Sequence, residues 1–354
     1  MNPRIEINYN KLKHNTNRMV SKYKEYDIHV AAVTKGFCAM PEVAEAIYDG
    51  GVKYFADSRV ENLIKLKDFP IEKILLRLPM ISQAGEVIKH VDISLNSEIG
   101  TIKVLNEYAS KFDKLHKIVL MMDLGDLREG YFDEKELTSV CKELKTLKNI
   151  KVIGIGTNLT CFGGVIPDEK NLGRLVELGH YIEEFLGTEL EIISGGNSSS
   201  VYLLEQGKLV KGINQLRLGE AILLGTESAY GDKITENYQD VFTLVAEIVE
   251  IKEKPSVPIG EIGRDAFGNV PVFVDKGFRK RAILAIGKQD FGTHEIKPVE
   301  KGLDILGSSS DHLIVDITDY DRMLNIGDEL SFHVSYGAML ALMTSEYVYK
   351  KIIK

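Results

Sequence analysis

The chain reads as an α/β protein: a (β/α)8 TIM barrel over residues 1–234, then a C-terminal, mainly antiparallel β domain over residues 235–354. Three observations predict this. Short β-branched runs alternate with segments of helical period through the first two thirds, giving about eight βα units in some 220 residues, the size of a closed barrel rather than of an open doubly wound sheet. Beyond Gly225 the alternation stops, and β-branched runs follow one another between glycine, proline and aspartate. The residues just past each barrel run are polar, as strand ends are where a barrel builds its site.

Leu12, Asn15, Met19 and Val20 recur at helical spacing and predict a helix over 10–23, ahead of the first strand at 28–34. Helix 40–49, strand 53–56, helix 60–67, strand 73–78 and helix 83–89 follow by the same patterning, then strand 92–95, helix 98–112, strand 117–123 and helix 134–147. Strand 151–156 leads into a long helix, 169–186. Strands 191–194 and 214–218, flanking a helical segment at 199–206, complete the eight. In the second domain strands are expected at 241–251, 270–274, 283–286, 312–317 and 329–334, with a short helix over 340–350. No solenoid repeat or low-complexity tract interrupts the pattern.

With 354 residues, 44% apolar and 27% charged, the chain can bury a full core. A net charge of −8 with lysine and glutamate interspersed leaves no basic stripe, which argues against a nucleic-acid surface. Met1 to Ile5 lacks the apolar core of a signal peptide, and no run reaches the roughly 18 uncharged apolar residues of a membrane helix, so a cytoplasmic protein without membrane attachment is expected. Cys38, Cys141 and Cys161 have no metal-like spacing, and neither a disulfide framework nor a metal site is expected. Cys38, three residues beyond Lys35, reads as a small buried apolar residue.

The strand ends carry the chemistry. Lys35 follows the first strand, Asp57-Ser58-Arg59 the second, and Arg77 ends the third. Asn96 follows the fourth, Asp123 to Arg128 the fifth, Thr157-Asn158 the sixth, Ser194 to Ser200 the seventh, and Arg217-Leu218-Gly219-Glu220 the eighth. A lysine leaving an inner strand is partly desolvated, which lowers its pKa and favours condensation with a carbonyl; the competing reading is a side chain that snorkels to water. The glycine- and serine-rich turn at 194–200 offers unpaired N–H groups and hydroxyls, and the loops after strands seven and eight of barrels are the usual phosphate site. Its competitor is a plain turn capped by serines. A strand-end lysine, a phosphate nest and a facing arginine together suit pyridoxal 5′-phosphate.

Several segments also resemble one family. Val33-Thr34-Lys35 is similar to the cofactor-lysine strand of the fold-type III, alanine-racemase-like enzymes that use pyridoxal phosphate, and Asp123 to Gly130 resembles their Asp-x-Gly-x-x-Arg-x-Gly segment. Asn197-Ser198 and Leu216 to Ala221 look like the phosphate turn and the Val-Arg-x-Gly strand. Ser310-Asp311 and Ser335-Tyr336 resemble the Met-Asp pair and the C-terminal Ser-Tyr. Leu216 to Gly225 and His333 to Met339 look most like the ornithine racemase branch. The resemblance implies Lys35 as Schiff base and one acid/base, with Asn197, Ser198, Gly219, Glu220 (through its backbone N–H) and Tyr336 around the phosphate. It implies Arg217 at the pyridine nitrogen, Arg128 at the substrate carboxylate, and Asp311 arriving from the other subunit of a homodimer with shared active sites.

The sequence departs from the pattern at three places. Met121 stands where alanine racemases often carry a carbamylated lysine, so Arg128 needs another partner, for which Asp126 is a candidate; Asn158 replaces a histidine stacked near the ring. The tyrosine that serves as second base is not evident. Glu261, Asp265, Tyr230 and Tyr238 are the candidates for the opposite face of Cα, each also readable as a solvated loop residue. Because a distal ammonium needs a carboxylate partner, the acids Asp126, Glu220, Glu261 and Asp311 point to ornithine or a similar basic amino acid as the small-molecule substrate. The alternatives are an alanine or broad-specificity racemase, a fold-type III decarboxylase, and a non-catalytic pyridoxal-phosphate homeostasis protein, which resembles the barrel half alone.

Overall fold

A computed structural model describes residues 1–354. The chain opens on strand β1 (Arg4–Asn8) and helix α1 (Tyr9–Lys24), after which eight parallel strands close into a barrel. These are β2 (His29–Val33), β3 (Tyr54–Asp57), β4 (Glu72–Leu75), β5 (Ile93–Asn96), β6 (His116–Met122), β7 (Ile150–Thr157), β8 (Ile192–Ser194) and β9 (Gln215–Leu218). The helices between them are α2 (Pro41–Asp49), α3 (Val60–Lys65), α4 (Ala84–His90), α5 (Ile99–Lys111), α6 (Glu134–Leu144), α7 (Glu169–Leu186) and α8 (Val201–Glu205), and the short α9 (Glu220–Leu223) follows β9. This is the expected barrel, with strand and helix ends shifted by a few residues.

Two layers of packing hold the barrel. Inward side chains of successive strands, among them Ala31, Ala56, Ile93, Val119, Met121 and Ile153, fill the interior, so it is a core and not a channel. Outward residues such as Ile118, Leu120 and Ile155 meet the apolar stripes of the helices, for instance Leu172, Leu175 and Ile182 of α7. The start of α7 is set by a reciprocal cap: Asp168 accepts from the Asn171 N–H at 2.7 Å and Asn171 accepts from the Asp168 N–H at 2.9 Å. Its end is set by Gly187 in the left-handed region.

The second compact unit comprises Asp240–Lys354 together with Met1–Tyr9. Its strands are β10 (Phe242–Pro255), β11 (Phe278–Leu284), β12 (Ile296–Pro298), β13 (Asp304–Ser308), β14 (Leu313–Asp316), β15 (Glu329–Val334) and β16 (Tyr349–Ile353), with helices α10 (Lys288–Phe291) and α11 (Tyr336–Thr344). The main path β12-β15-β10-β11-β14-β13 is antiparallel throughout. β1 lies between β10, to which it is antiparallel, and β16, to which it is parallel. Residues 1–9 thus belong with the second unit, which begins at Asp240, whereas the sequence reading puts them in the barrel and divides the chain after 234.

Two expected elements differ. Residues 270–274 form no strand: Pro271 removes a ladder donor, and Phe273 on one face and Val270, Val272 and Val274 on the other are all exposed, so neither face of the segment is buried. The helix expected over 340–350 runs instead from Tyr336 to Thr344, and the residues beyond Ser345 turn into β16. No helix is long and apolar enough to cross a membrane.

Candidate active site

Three neighbouring strands bring the expected site residues to one rim of the barrel. β2 pairs with β9, Ala31 opposite Arg217 and Ala32 opposite Leu218, and β9 pairs with β8. Lys35 leaves β2 beside the Gly219 turn that leaves β9; a Cβ added at Gly219 would stand 3.4 Å from the Val33 Cβ. Lys35 opens a single helical turn closed by the Cys38 N–H on its carbonyl at 3.2 Å. Cys38 and Ala39 are both left-handed, with φ of 53° and 49°, a conformation that costs roughly 1–3 kcal/mol for each non-glycine residue. The lysine is therefore presented on a strained elbow anchored by the buried Phe37.

Lys35 itself is exposed in the chain, so the burial expected of it is not found. The buried partner in this corner is Asp57, at the end of β3. Its carboxylate accepts from the Thr34 hydroxyl at 2.7 Å, the Arg59 N–H at 2.9 Å and the Asn62 amide at 3.1 Å. Burial pushes the Asp57 carboxyl above its ordinary value, against the opposing pull of these donors and of the nearby Lys35 charge.

On the β8–β9 side, Ser198 Oγ accepts the N–H groups of Gly219, at 3.3 Å, and Ala221, at 3.1 Å. A hydroxyl and main-chain donors from two loops thus converge on one point, as an anion site requires. Asn197 faces away from that point: its carbonyl caps the Ser199 N–H at 2.8 Å and its amide donates to the Leu159 carbonyl at 2.9 Å. Glu220 accepts from the Thr226 hydroxyl at 3.1 Å, and burial holds its carboxyl above the usual range.

Arg217, 2% exposed, sits between these two corners. It donates to the Ser194 hydroxyl, to the Thr157 carbonyl at 2.6 Å and to the Asn158 carbonyl oxygen at 3.0 Å. Burial lowers its pKa to about 10, which leaves it charged at neutral pH. Gly156 makes room for it, since a Cβ there would lie 3.4 Å from the guanidinium and 3.2 Å from the Ser194 Cβ.

The hydrogen bonds continue outward from Arg217. The Asn158 amide donates to Glu129 at 2.6 Å, and Glu129 is paired with Arg128 through the Nε and Nη2 donors of the guanidinium. Burial would favour the neutral form of Glu129, but Arg128 beside it holds the carboxyl below its ordinary value. The partner that Arg128 needs is therefore Glu129, and not Asp126. Asp126 is buried and accepts main-chain N–H bonds from Cys161, Phe162 and Val165 at 3.1, 2.8 and 3.0 Å, so its oxygens are unavailable to a substrate. Glu129 escaped the sequence reading because it is adjacent to Arg128, a spacing that no periodicity picks out. Glycine follows it for a reason: Gly130 has φ of 132°, and a Cβ would fall 2.3 Å from the Asp123 nitrogen.

The pattern described as "Alanine racemase, N-terminal domain" matches residues 7–227. The chain belongs to the alanine racemase family. Within that family it is 48% identical to the ornithine racemase of Acetoanaerobium sticklandii, covering 100% of both chains, and 39% identical to the lysine racemase of Thermotoga maritima, covering 98% of each. Its fold superposes on a solved alanine racemase from Streptomyces lavendulae with a TM-score of 0.77 at 16% identity, over 100% of this chain and 98% of that one. The alanine racemase of Clostridium difficile gives 0.75 at 20% identity, over 99% and 95%.

Of the remaining expected residues of this alanine racemase family member, Tyr336, Asp311, Glu261 and Asp265 belong to the other compact unit. Tyr336 begins α11, behind the Ser335 cap on the Ala338 N–H. Asp311 is exposed and accepts from the Ser310 hydroxyl at 2.6 Å. Glu261 is exposed, and Asp265 closes a local turn by accepting the N–H groups of Phe267 and Asn269 at 2.9 and 2.8 Å. In the barrel unit, Tyr230 packs edge-on against Tyr202, and Tyr238 lies edge-on to His14.

Proposed function

We propose that this member of the alanine racemase family is a pyridoxal 5′-phosphate-dependent racemase of ornithine or a similar basic amino acid. The observation that carries the reading is the rim formed by β2, β9 and β8, where a primary amine, a hydroxyl with convergent main-chain donors, and a buried guanidinium end neighbouring strands. These groups fit the cofactor: Lys35 would hold its aldehyde carbon, Ser198, Gly219 and Glu220 (by its N–H) its phosphate, and Arg217 its ring nitrogen. When bound, the cofactor supplies an electron sink that acidifies the Cα hydrogen.

The chain's own residues do the rest. Lys35 removes or returns the proton on one face of Cα, and Arg128 orients the carboxylate. Arg217, charged at neutral pH, would leave the ring nitrogen of the bound cofactor without a proton and so would limit side reactions that need a stronger sink. The group for the opposite face is not Asp265, whose carboxylate is taken up by its turn. Asp311 is assigned to the distal ammonium from the second subunit of a cytoplasmic homodimer. The 48% relative named for ornithine and the 39% relative named for lysine support a basic substrate.

The test follows optical rotation with ornithine, lysine, arginine, alanine and serine, with and without added cofactor. Faster racemisation of alanine than of ornithine at equal concentration would overturn the substrate. A Lys35→Ala variant that kept full turnover would overturn the mechanism. A mixture of Lys35→Ala and Asp311→Asn chains that regains activity would support shared sites.

A further inference from the structure

Glu129 stands between the two arginines of the barrel rim. Its side chain is 14% exposed, and three donors converge on its two oxygens: Nε and Nη2 of Arg128, and the amide of Asn158. The orientation of that amide follows from its neighbours. Arg217 has only donors and Glu129 only acceptors, so the Asn158 oxygen must face the first and its nitrogen the second, as found. The result is an unbroken polar chain from Arg128 through Glu129 and Asn158 to Arg217, and on to Ser194 and the Thr157 carbonyl.

Two features set this apart from a surface ion pair. Glu129 takes the Nε–Nη2 edge of the Arg128 fork, so a ligand carboxylate must either use the Nη1 side or displace Glu129. Glu129 is also the carboxylate shared by two guanidiniums: its charge favours the protonated form of Arg217, while the charge of Arg128 opposes it.

We propose that Glu129 is a positioning residue that couples the carboxylate-binding Arg128 to the buried Arg217 through Asn158. The inference rests on the function proposed above, in which those arginines meet the substrate carboxylate and the cofactor ring. A substrate carboxylate arriving at Arg128 competes with Glu129 for the same guanidinium, and the change passes along the chain to the group beside the ring nitrogen. Substrate binding thereby adjusts the electrostatics of the cofactor without any movement of the barrel.

The experiment uses the holoprotein with Glu129→Gln, Glu129→Asp and Asn158→Ala, and two readouts: KM against kcat for ornithine, and the pH titration of the visible cofactor band in the absence of amino acid. Glu129→Gln should raise KM about tenfold or more, as loss of a charged hydrogen bond does, and move the titration midpoint. Glu129→Asp, which keeps the charge but cannot span both partners, should fall between it and the wild type. Asn158→Ala should move the midpoint in the same direction with a smaller change in KM. Should Glu129→Gln fail to fold, the other two variants carry the test. A midpoint unmoved in Asn158→Ala, or KM and midpoint both unmoved in a Glu129 variant, overturns the coupling. A wild type without a cofactor band or racemisation overturns instead the function on which it rests.

Discussion

Asp126 and Phe162 are joined by a 2.8 Å hydrogen bond from the Phe162 N–H to the Asp126 carboxylate, and with the Cys161 and Val165 amides this ties the loop after β6 to the loop after β7. The tie positions both Arg128 and Asn158, which lie on those two loops. Replacing Asp126 by alanine leaves three partly buried N–H donors without their carboxylate, at a cost of about 1–2 kcal/mol. It should lower the thermal midpoint and reduce activity through KM.

The same carboxylate has a pH signature. Burial raises its pKa, but the main-chain donors outweigh that, and the net shift is downward. A carboxylate whose folded pKa is depressed contributes stability that is complete above its unfolded value, near 4, and is lost as pH falls through the folded value. Urea midpoints at pH 7 and pH 3 should differ less for Asp126→Ala than for the wild type.

Thr34 and Asp57 make a second buried contact, just behind Lys35. Thr34→Val preserves shape and removes the donor, so it should cost about 1–2 kcal/mol and disturb the elbow that presents the lysine. Differential scanning calorimetry with a cofactor-release assay measures both; an unchanged cofactor off-rate would show that the elbow does not depend on this bond.

Gly156→Ala places a methyl group against the Arg217 guanidinium and the Ser194 Cβ. Overpacking of this kind costs about 1–3 kcal/mol. Because Ser194, the closer neighbour, accepts a hydrogen bond from Arg217, its displacement should change the visible spectrum of the bound cofactor even where the protein stays folded.

In the second unit, Arg4 of β1 pairs with both oxygens of Glu329 in β15, at 2.6 and 2.7 Å. Arg4 and Asn2 hold the Glu329 carboxyl at about 2, so the pair's stability is present above about 4.5 and lost as pH falls toward 2. Glu329 is open to water, which limits the contribution to on the order of 1 kcal/mol. Arg4→Ala should lower stability at neutral pH by on the order of 1 kcal/mol and flatten the acid limb, so that the variant and the wild type converge as pH falls toward 2.

The barrel was legible because most of its parallel strands are largely buried and apolar and alternate with helical patterns, and because polar residues such as Lys35, Ser198 and Arg217 follow or end those strands. The second unit was less so. β1, β12, β13 and β16 are short and find their partners far away in sequence, while the apolar run at 270–274 lacks any partner. Within the site, counting carboxylates assigned Asp126 to the substrate, because nothing in the sequence reveals that main-chain N–H groups some 35 residues on consume its oxygens. Glu129 went unseen because its role depends on Asn158, which is brought to it by the barrel and not by the local sequence.

β1 also constrains how the protein can be made. Residues 4–8 leave the ribosome long before either neighbour exists, since Ile7 pairs with Phe242 on one side and with Ile352 on the other. Through most of translation this strand has two open edges, a hazard that grows with the wait. Any dissection of the gene at the end of the barrel would hand the second half a sheet with its middle rib missing.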